Sequence, residues 1–167
     1  DEVTFAANSQ LTEISNNVFQ QARLTSIEIP ASVHTIGNDA FSSNTSLTTV
    51  SFATGSNLRQ LGARALGNRV TSLTLPPSPT LSGYRFLGWS NTSNGTLISN
   101  PTTSAIAGNA LFAKWLQLST VTFNSSSGSA VANGSFGSGE TVAAPTAPTR
   151  SGFAFVGWSL SRSGTVV

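Results

Sequence analysis

Apolar residues recur in a fixed order over residues 1–76. Leu11, Ile14, Phe19, Leu24, Ile27 and Ile29 are followed by Val33, Ile36, Phe41, Leu47, Val50 and Phe52, and then by Leu58, Leu61, Leu66, Val70, Leu73 and Leu75. The period of about 22 to 25 residues falls in the range of solenoids, where each unit buries its apolar edge on its neighbours. Val3 and Phe5 precede Leu11 as Val50 and Phe52 precede Leu58, which predicts a strand of a further, incomplete turn at residues 3–5. From Leu24 to Pro30 apolar and polar residues come to alternate, the period of a short strand. Pro30 and Pro76 remove the donor that would extend such a strand, so the chain is expected to turn a corner there. Val18 and Phe19, Ala40 and Phe41, and Ala65 and Leu66 follow short polar stretches, where single helical turns would point the large residue inward. Little regular helix is expected.

A different pattern follows the proline-rich residues 76–79. Residues 80–90, Thr-Leu-Ser-Gly-Tyr-Arg-Phe-Leu-Gly-Trp-Ser, return as residues 149–159, Thr-Arg-Ser-Gly-Phe-Ala-Phe-Val-Gly-Trp-Ser. Tyr84 and Phe86, and later Phe153 and Phe155, alternate with their neighbours as on one face of a strand. Gly83 and Gly152 precede this strand, Gly88 and Gly157 follow it, and Trp89 and Trp158 close it. Pro145 and Pro148 introduce the second copy as Pro76 and Pro79 introduce the first. The first copy continues through a polar loop at residues 91–100 and ends on Ala-Leu-Phe-Ala-Lys-Trp at 110–115. The second begins with Val-Thr-Phe at 121–123, crosses a Gly/Ser/Asn-rich stretch and offers a further strand at 140–142. The expected structural core comprises Phe19, Phe41, Leu66, Tyr84, Phe86, Trp89, Trp115, Phe153, Phe155 and Trp158.

Charged residues make up only 8% of the chain, against about 25% in an ordinary globular protein. Ser, Thr, Asn and Gly supply the polar surface instead. The net charge is +2, the arginines are scattered and Lys114 is the sole lysine, a distribution that argues against a nucleic-acid partner. Without cysteine there is no disulfide framework, thiolate metal site or thiol nucleophile. Apolar runs stay far below the roughly 20 residues of a membrane span, so no membrane insertion is expected within this segment. His34 is the sole histidine, and the carboxylates are dispersed from Asp1 to Glu140 with no paired or metal-ligating spacing. The chain is therefore read as non-enzymatic, with no catalytic residue, no cofactor and no metal. Lys114 lacks an acidic neighbour in sequence that would promote crosslinking to an asparagine, and is expected at a sheet rim with its head in solvent. Asn44, Asn91, Asn94, Asn124 and Asn133 start glycosylation-type triplets, a match expected by chance in a chain this rich in Asn, Ser and Thr.

Equivalent outward positions carry hydroxyls. Thr25, Thr48 and Thr71 form one set, and Thr4, Glu28, Ser51 and Thr74 another, so stacked turns would present polar ladders. A solvated β face is the plain expectation. A protein or glycan contact on this ridge, with His34 and Arg59 as neighbours, is the functional one; Glu28 interrupts the flat threonine row that ice binding would need.

The joint pattern L-x-x-I-x-[IL]-P and [VL]-x-x-[IL]-G-x-x-A-[FL] over residues 3–76 resembles the leucine-rich repeats of the BspA type. Gln21 and Asn44 lie near the position where a cysteine is frequent in that family, and no glycine follows Ile14. Residues 79–115 and 119–159 resemble the Listeria-Bacteroides, or internalin B-repeat, type. The resemblances imply a mainly β chain: a leucine-rich solenoid at 1–76, incomplete at its start, a first β-grasp-like repeat at 77–118 without its own first strand, and a second at 119–167 without its closing strand. They further imply an extracellular or cell-surface bacterial module with a structural or adhesive role. Its expected partners are proteins, by self-association or with a neighbouring surface protein, with glycans as the alternative. The unfinished sheet edges would be covered by more chain or completed by another subunit in an extracellular fibre, so residues 119–167 are expected to self-associate or fray in isolation.

Overall fold

The computed structural model describes residues 3–76, 78–98, 110–160 and 165–166. Pro77, Arg162 and the last two residues of the polar loop at 91–100 lie outside the described residues. The chain is mainly β. Its strands are β1 (Glu13–Ile14), β2 (Ser26–Ile29), β3 (Thr35–Ile36), β4 (Thr49–Phe52), β5 (Gln60–Leu61), β6 (Ser72–Leu73), β7 (Tyr84–Ser90), β8 (Leu111–Val121) and β9 (Gly134–Gly137), with no helix among the described residues. It divides into two compact units, Asp1–Leu116 and Gln117–Val167.

In the first unit two parallel ladders run through successive turns of chain. β1, β3 and β5 pair in register, Ile14 with Ile36 and Ile36 with Leu61. β2, β4 and β6 form the other ladder, Ile27 with Val50 and Val50 with Leu73. Each turn thus contributes one short strand to each ladder. The inward residues of both, Ile14, Ile27, Ile29, Ile36, Val50 and Leu61, are buried and pack with Leu24, Val33, Phe41, Leu47 and Leu58 into one core. β8 then lies antiparallel on β5, with Gln60 opposite Phe112 and Leu61 opposite Leu111, and β7 follows beyond it.

Between the ladders the polar stretches are not helical turns. Asn17, Asp39 and Arg64 occupy equivalent left-handed positions with φ of 59°, 54° and 50°. Their carbonyls accept the amides three residues on, from Gln20, Ser42 and Gly67, closing single turns, while amides of these stretches bond to the next turn: Asn17 donates to Asn38, Phe19 to Ala40, Asp39 to Ala63 and Phe41 to Ala65. Side chains continue the scheme, since the carboxamide oxygen of Asn16 accepts from the Asn38 amide and that of Asn38 from the Ala63 amide, at 2.7 and 2.8 Å. Turns stacked this closely leave no room for side chains at two positions. A Cβ on Gly37 would stand 2.6 Å from the Asn16 nitrogen, and one on Gly62 would stand 2.5 Å from the Asn38 nitrogen. The Phe19 and Phe41 rings stack across one such step, 5.2 Å apart and nearly parallel, and Phe5 meets Phe19 edge-on.

Asn44 holds the corner before β2 and β4. It is buried; its carboxamide nitrogen donates to the carbonyls of Phe19 and Phe41, both at 2.8 Å, and its oxygen accepts from the Leu24 amide at 3.0 Å. One side chain therefore satisfies backbone groups of two turns that have no strand partner.

Several sequence expectations are corrected. Residues 3–5 form no strand, although Val3 and Phe5 pack against the core. Residues 111–115 of the closing segment and Val121 of the opening one, expected in separate strands, share β8, which runs through residue 118, while residues 122–123 are irregular. In the second unit β8 pairs with β9, from Leu118 opposite Gly137 to Val121 opposite Gly134, whereas the expected strand at 140–142 is irregular. The aromatic segment of the second copy is held by single bridges, Arg150 to Phe153 and Ser159 to Val166, instead of a strand like β7. Of the expected core, Tyr84 (38%), Phe153 (65%) and Phe155 (42%) are exposed. Phe41, Leu66 and Trp89 are buried, and Phe19, Phe86, Trp115 and Trp158 are half-buried.

Replacing Asn44 by alanine leaves the buried Leu24 amide without its acceptor and is expected to cost on the order of 3 kcal/mol, read as a lower urea midpoint. Trp89→Ala, at a side chain only 5% exposed, is expected to cost about 3–5 kcal/mol as a large-to-small core change. An unchanged melting temperature for that variant contradicts its place in the core.

Candidate interaction face

The β2-β4-β6 ladder turns one face inward and one to solvent. Alternation puts Ile27, Val50 and Leu73 on the inner face, so Ser26, Thr49 and Ser72 stand in register on the outer one. Glu28 lies opposite Ser51 in the next outer row, and the exposed Thr74 continues that row one turn on. Thr25, Thr48 and Thr71 edge the sheet. The Thr48 amide donates to the Thr25 carbonyl and the Thr71 amide to the Thr48 carbonyl, both at 3.0 Å, and the Thr71 hydroxyl also reaches the Thr48 carbonyl at 3.4 Å. All of these residues are exposed, and adjacent strands place hydroxyls about 4.8 Å apart.

His34 and Arg59 do not join this face. They immediately precede β3 and β5 on the other ladder, where the His34 carbonyl accepts the amides of Arg59 and Gln60 at 2.7 and 3.1 Å, and the His34 amide donates to Thr12. The reason is the corner between the two strands of each turn: Glu28 and Ser51 lie before it, in β2 and β4, and His34 and Arg59 lie after it, beside β3 and β5. The Arg59 guanidinium donates to the Thr80 carbonyl at 3.1 Å. Burial, reinforced by the positive charge of Arg59, holds the His34 imidazole below its ordinary protonation range. The eight expected contact residues therefore separate into a hydroxyl face (Thr25, Glu28, Thr48, Ser51, Thr71, Thr74) and, on the other ladder, a neutral imidazole beside a guanidinium (His34, Arg59).

The row of Ser26, Thr49 and Ser72 was not among the residues singled out from sequence, although the alternation of Ser26, Ile27, Glu28 and Ile29 contains it. Tertiary folding also adds a cleft of about 430 Å³ at the end of the face, between Ser51 and Phe52 of β4 and Thr74, Leu75 and Pro76 beyond β6. Elsewhere the Lys114 ammonium donates to the Ser93 carbonyl at 3.0 Å, anchoring a head group expected in solvent. Arg64 and Asp39 form a two-pronged ion pair across one turn step at 2.8 and 2.7 Å. Asn44 is buried with its carboxamide engaged, so its glycosylation-type triplet is sterically closed. Among the described residues no three His, Asp or Glu side chains converge as metal ligands, and no helix is long and apolar enough to cross a membrane.

The lowered protonation of His34 has a fixed sign. The unfolded chain takes up the proton first, so stability is expected to fall as pH drops below about 6.5 and to level off once the folded imidazole also titrates. Urea midpoints measured against pH are expected to show this slope in the parent chain and to lose it in His34→Gln.

Comparison with known families gives two matches. The family model described as BspA type leucine rich repeat region matches residues 12–142 in six copies, well past residue 76, where the leucine-rich pattern was expected to stop. The Listeria-Bacteroides repeat domain matches residues 120–167. No curated protein and no solved structure matches the chain.

Proposed function

Because the chain belongs to the BspA-type leucine rich repeat family, we propose that it is a non-enzymatic repeat module of a bacterial cell-surface or secreted protein, with a structural and adhesive role toward protein partners. On this reading the parallel ladders are a β solenoid, and the two aromatic segments mark β-grasp-like repeats fused to it. The observation that carries the proposal is the pairing of every turn with the next by the same backbone and side-chain bonds, in both ladders and in the stretches between them. An array built this way is stabilised by its nearest neighbours and presents the same surface at each step, which suits display and repeated contact better than a single reaction centre. A fibre subunit is one form such a module takes when its sheet edges pair with other chains.

The hydroxyl face favours a second reading: a receptor-like module that recognises a host protein or glycan there. Its three rows are regular and exposed, and the adjoining cleft has Phe52 and Leu75 in its wall. The rows themselves contain no aromatic anchor of the kind that dominates tight interfaces, so the scaffolding reading is preferred.

Replacing Glu28 and Thr48 together by arginine separates the two. Both side chains are exposed, so the melting temperature is expected to stay unchanged. Adhesion of the purified module to cells is expected to persist under the scaffolding reading. Its loss without loss of stability would transfer the function to the hydroxyl face.

A further inference from the structure

The ladder that carries the hydroxyl face does not keep one length from step to step. β2 and β4 pair from Ser26 opposite Thr49 to Ile29 opposite Phe52. β4 and β6 pair only at Thr49 with Ser72 and Val50 with Leu73. Beyond that point the chain at Thr74 and Leu75 departs from Ser51 and Phe52, where continued register would have placed it. The corner after β4 is fastened to the turn before it, the Ala53 amide to the Ile29 carbonyl at 2.9 Å and the Asn57 amide to the Ala31 carbonyl at 3.2 Å. The departing segment returns to this corner at Thr80. Its amide donates to the Asn57 carboxamide oxygen at 2.7 Å, and its carbonyl accepts from the Arg59 guanidinium at 3.1 Å. The cleft of about 430 Å³ lies between these two fastened ends.

Its lining has one polar chemistry. Among the described residues every polar side chain in the wall is a serine or threonine hydroxyl, including Ser51, Ser56 and Thr74, and none is charged. Phe52 and Leu75, both half-buried, and the buried Pro76 supply apolar wall. Ser56 is only 7% exposed, and its hydroxyl has no hydrogen-bond partner among the described residues. A buried hydroxyl left unpaired is costly, and a bond to a ligand recovers that cost. The volume falls within the range of about 300–1,000 Å³ typical of small-ligand sites.

We propose that this cleft binds a neutral hexose unit of a glycan. An ionic ligand would enter a partly enclosed site with no counter-charge in its wall, which is unfavourable. A pyranose ring instead carries hydroxyls around its rim and C–H groups on its faces, the complement of hydroxyls set beside an aromatic ring. Each wall hydroxyl both donates and accepts, so the site meets sugar hydroxyls of either sense. The inference rests on the glycan form of the second reading above, and it moves the contact from the outer rows into the cleft, which Glu28 and Thr48 do not line.

The test titrates the isotope-labelled 167-residue chain with methyl glucoside, methyl galactoside and methyl mannoside, whose blocked anomeric oxygen mimics a unit within a glycan. At least one is expected to shift the amides of residues 52–56 and 74–75 and to saturate. Ser56→Ala is expected to weaken that binding about three- to tenfold, the loss of one hydrogen bond. Its melting temperature should not fall, because the hydroxyl has no partner in the protein. Phe52→Leu keeps an apolar side chain, removes the ring and is expected to weaken binding as well. The double variant Glu28→Arg, Thr48→Arg is expected to bind the hexoside like the parent whatever its adhesion to cells, which separates this site from the outer rows. No saturable shift with any hexoside, or unchanged binding in both Ser56→Ala and Phe52→Leu, would overturn the proposal. So would binding of free hexoses alone, loss of binding in the double variant, or equal shifts with cyclohexanol or the tripeptide Ala-Phe-Ala.

Discussion

Backbone-to-backbone stacking of successive turns is the constraint on which the rest of the first unit depends. Two-residue strands such as β1, β3 and β5 have no independent stability; they persist because each is bonded to the strand one turn on. The same requirement explains the glycines. Only a residue without Cβ lets the chain at positions 37 and 62 approach the preceding turn. The left-handed conformations at Asn17, Asp39 and Arg64 follow as well, since a right-handed helical turn there would direct the amides along the chain and away from the next turn.

Stacking fixes the surface as firmly as the core. Because strands in each ladder are in register, residues with the same position in the repeat form rows, and the rows inherit the character of that position. Isoleucine, valine and leucine line the inside of the β2-β4-β6 ladder, and serine, threonine and one glutamate line the outside. The nearly uncharged face is a direct product of a chain with few charged residues. His34 and Arg59 leave from the other ladder, where burial, and after it the arginine charge, lowers the proton affinity of the imidazole.

β8 gives one ladder a covering strand that the other lacks among the described residues. By pairing with β5 it covers an edge that would otherwise be open, and Leu111 enters the core completely. Trp115 of the same strand covers Phe86. Covering one edge with one strand accounts for both the low exposure of Trp89 and the higher exposure of the second aromatic segment, which has no such neighbour among the described residues.

The apolar periodicity of the sequence determined the number and order of the stacked turns, the short strands ending before Pro30, the polar rows and the duplication of the aromatic segment. Each of these follows from spacing along the chain, because burial on one face repeats wherever the spacing repeats. Tertiary structure alone decided the rest. The left-handed turns, and the bonds of Asn44 to the Phe19 carbonyl and the Leu24 amide, depend on groups some 20 to 25 residues away. The separation of His34 and Arg59 from the hydroxyl face depends on which ladder each side of a corner joins. The same aromatic motif is half-buried around Phe86 and exposed around Phe155 because burial belongs to a residue together with its neighbours, and only in the first copy does the fold bring a second strand against it.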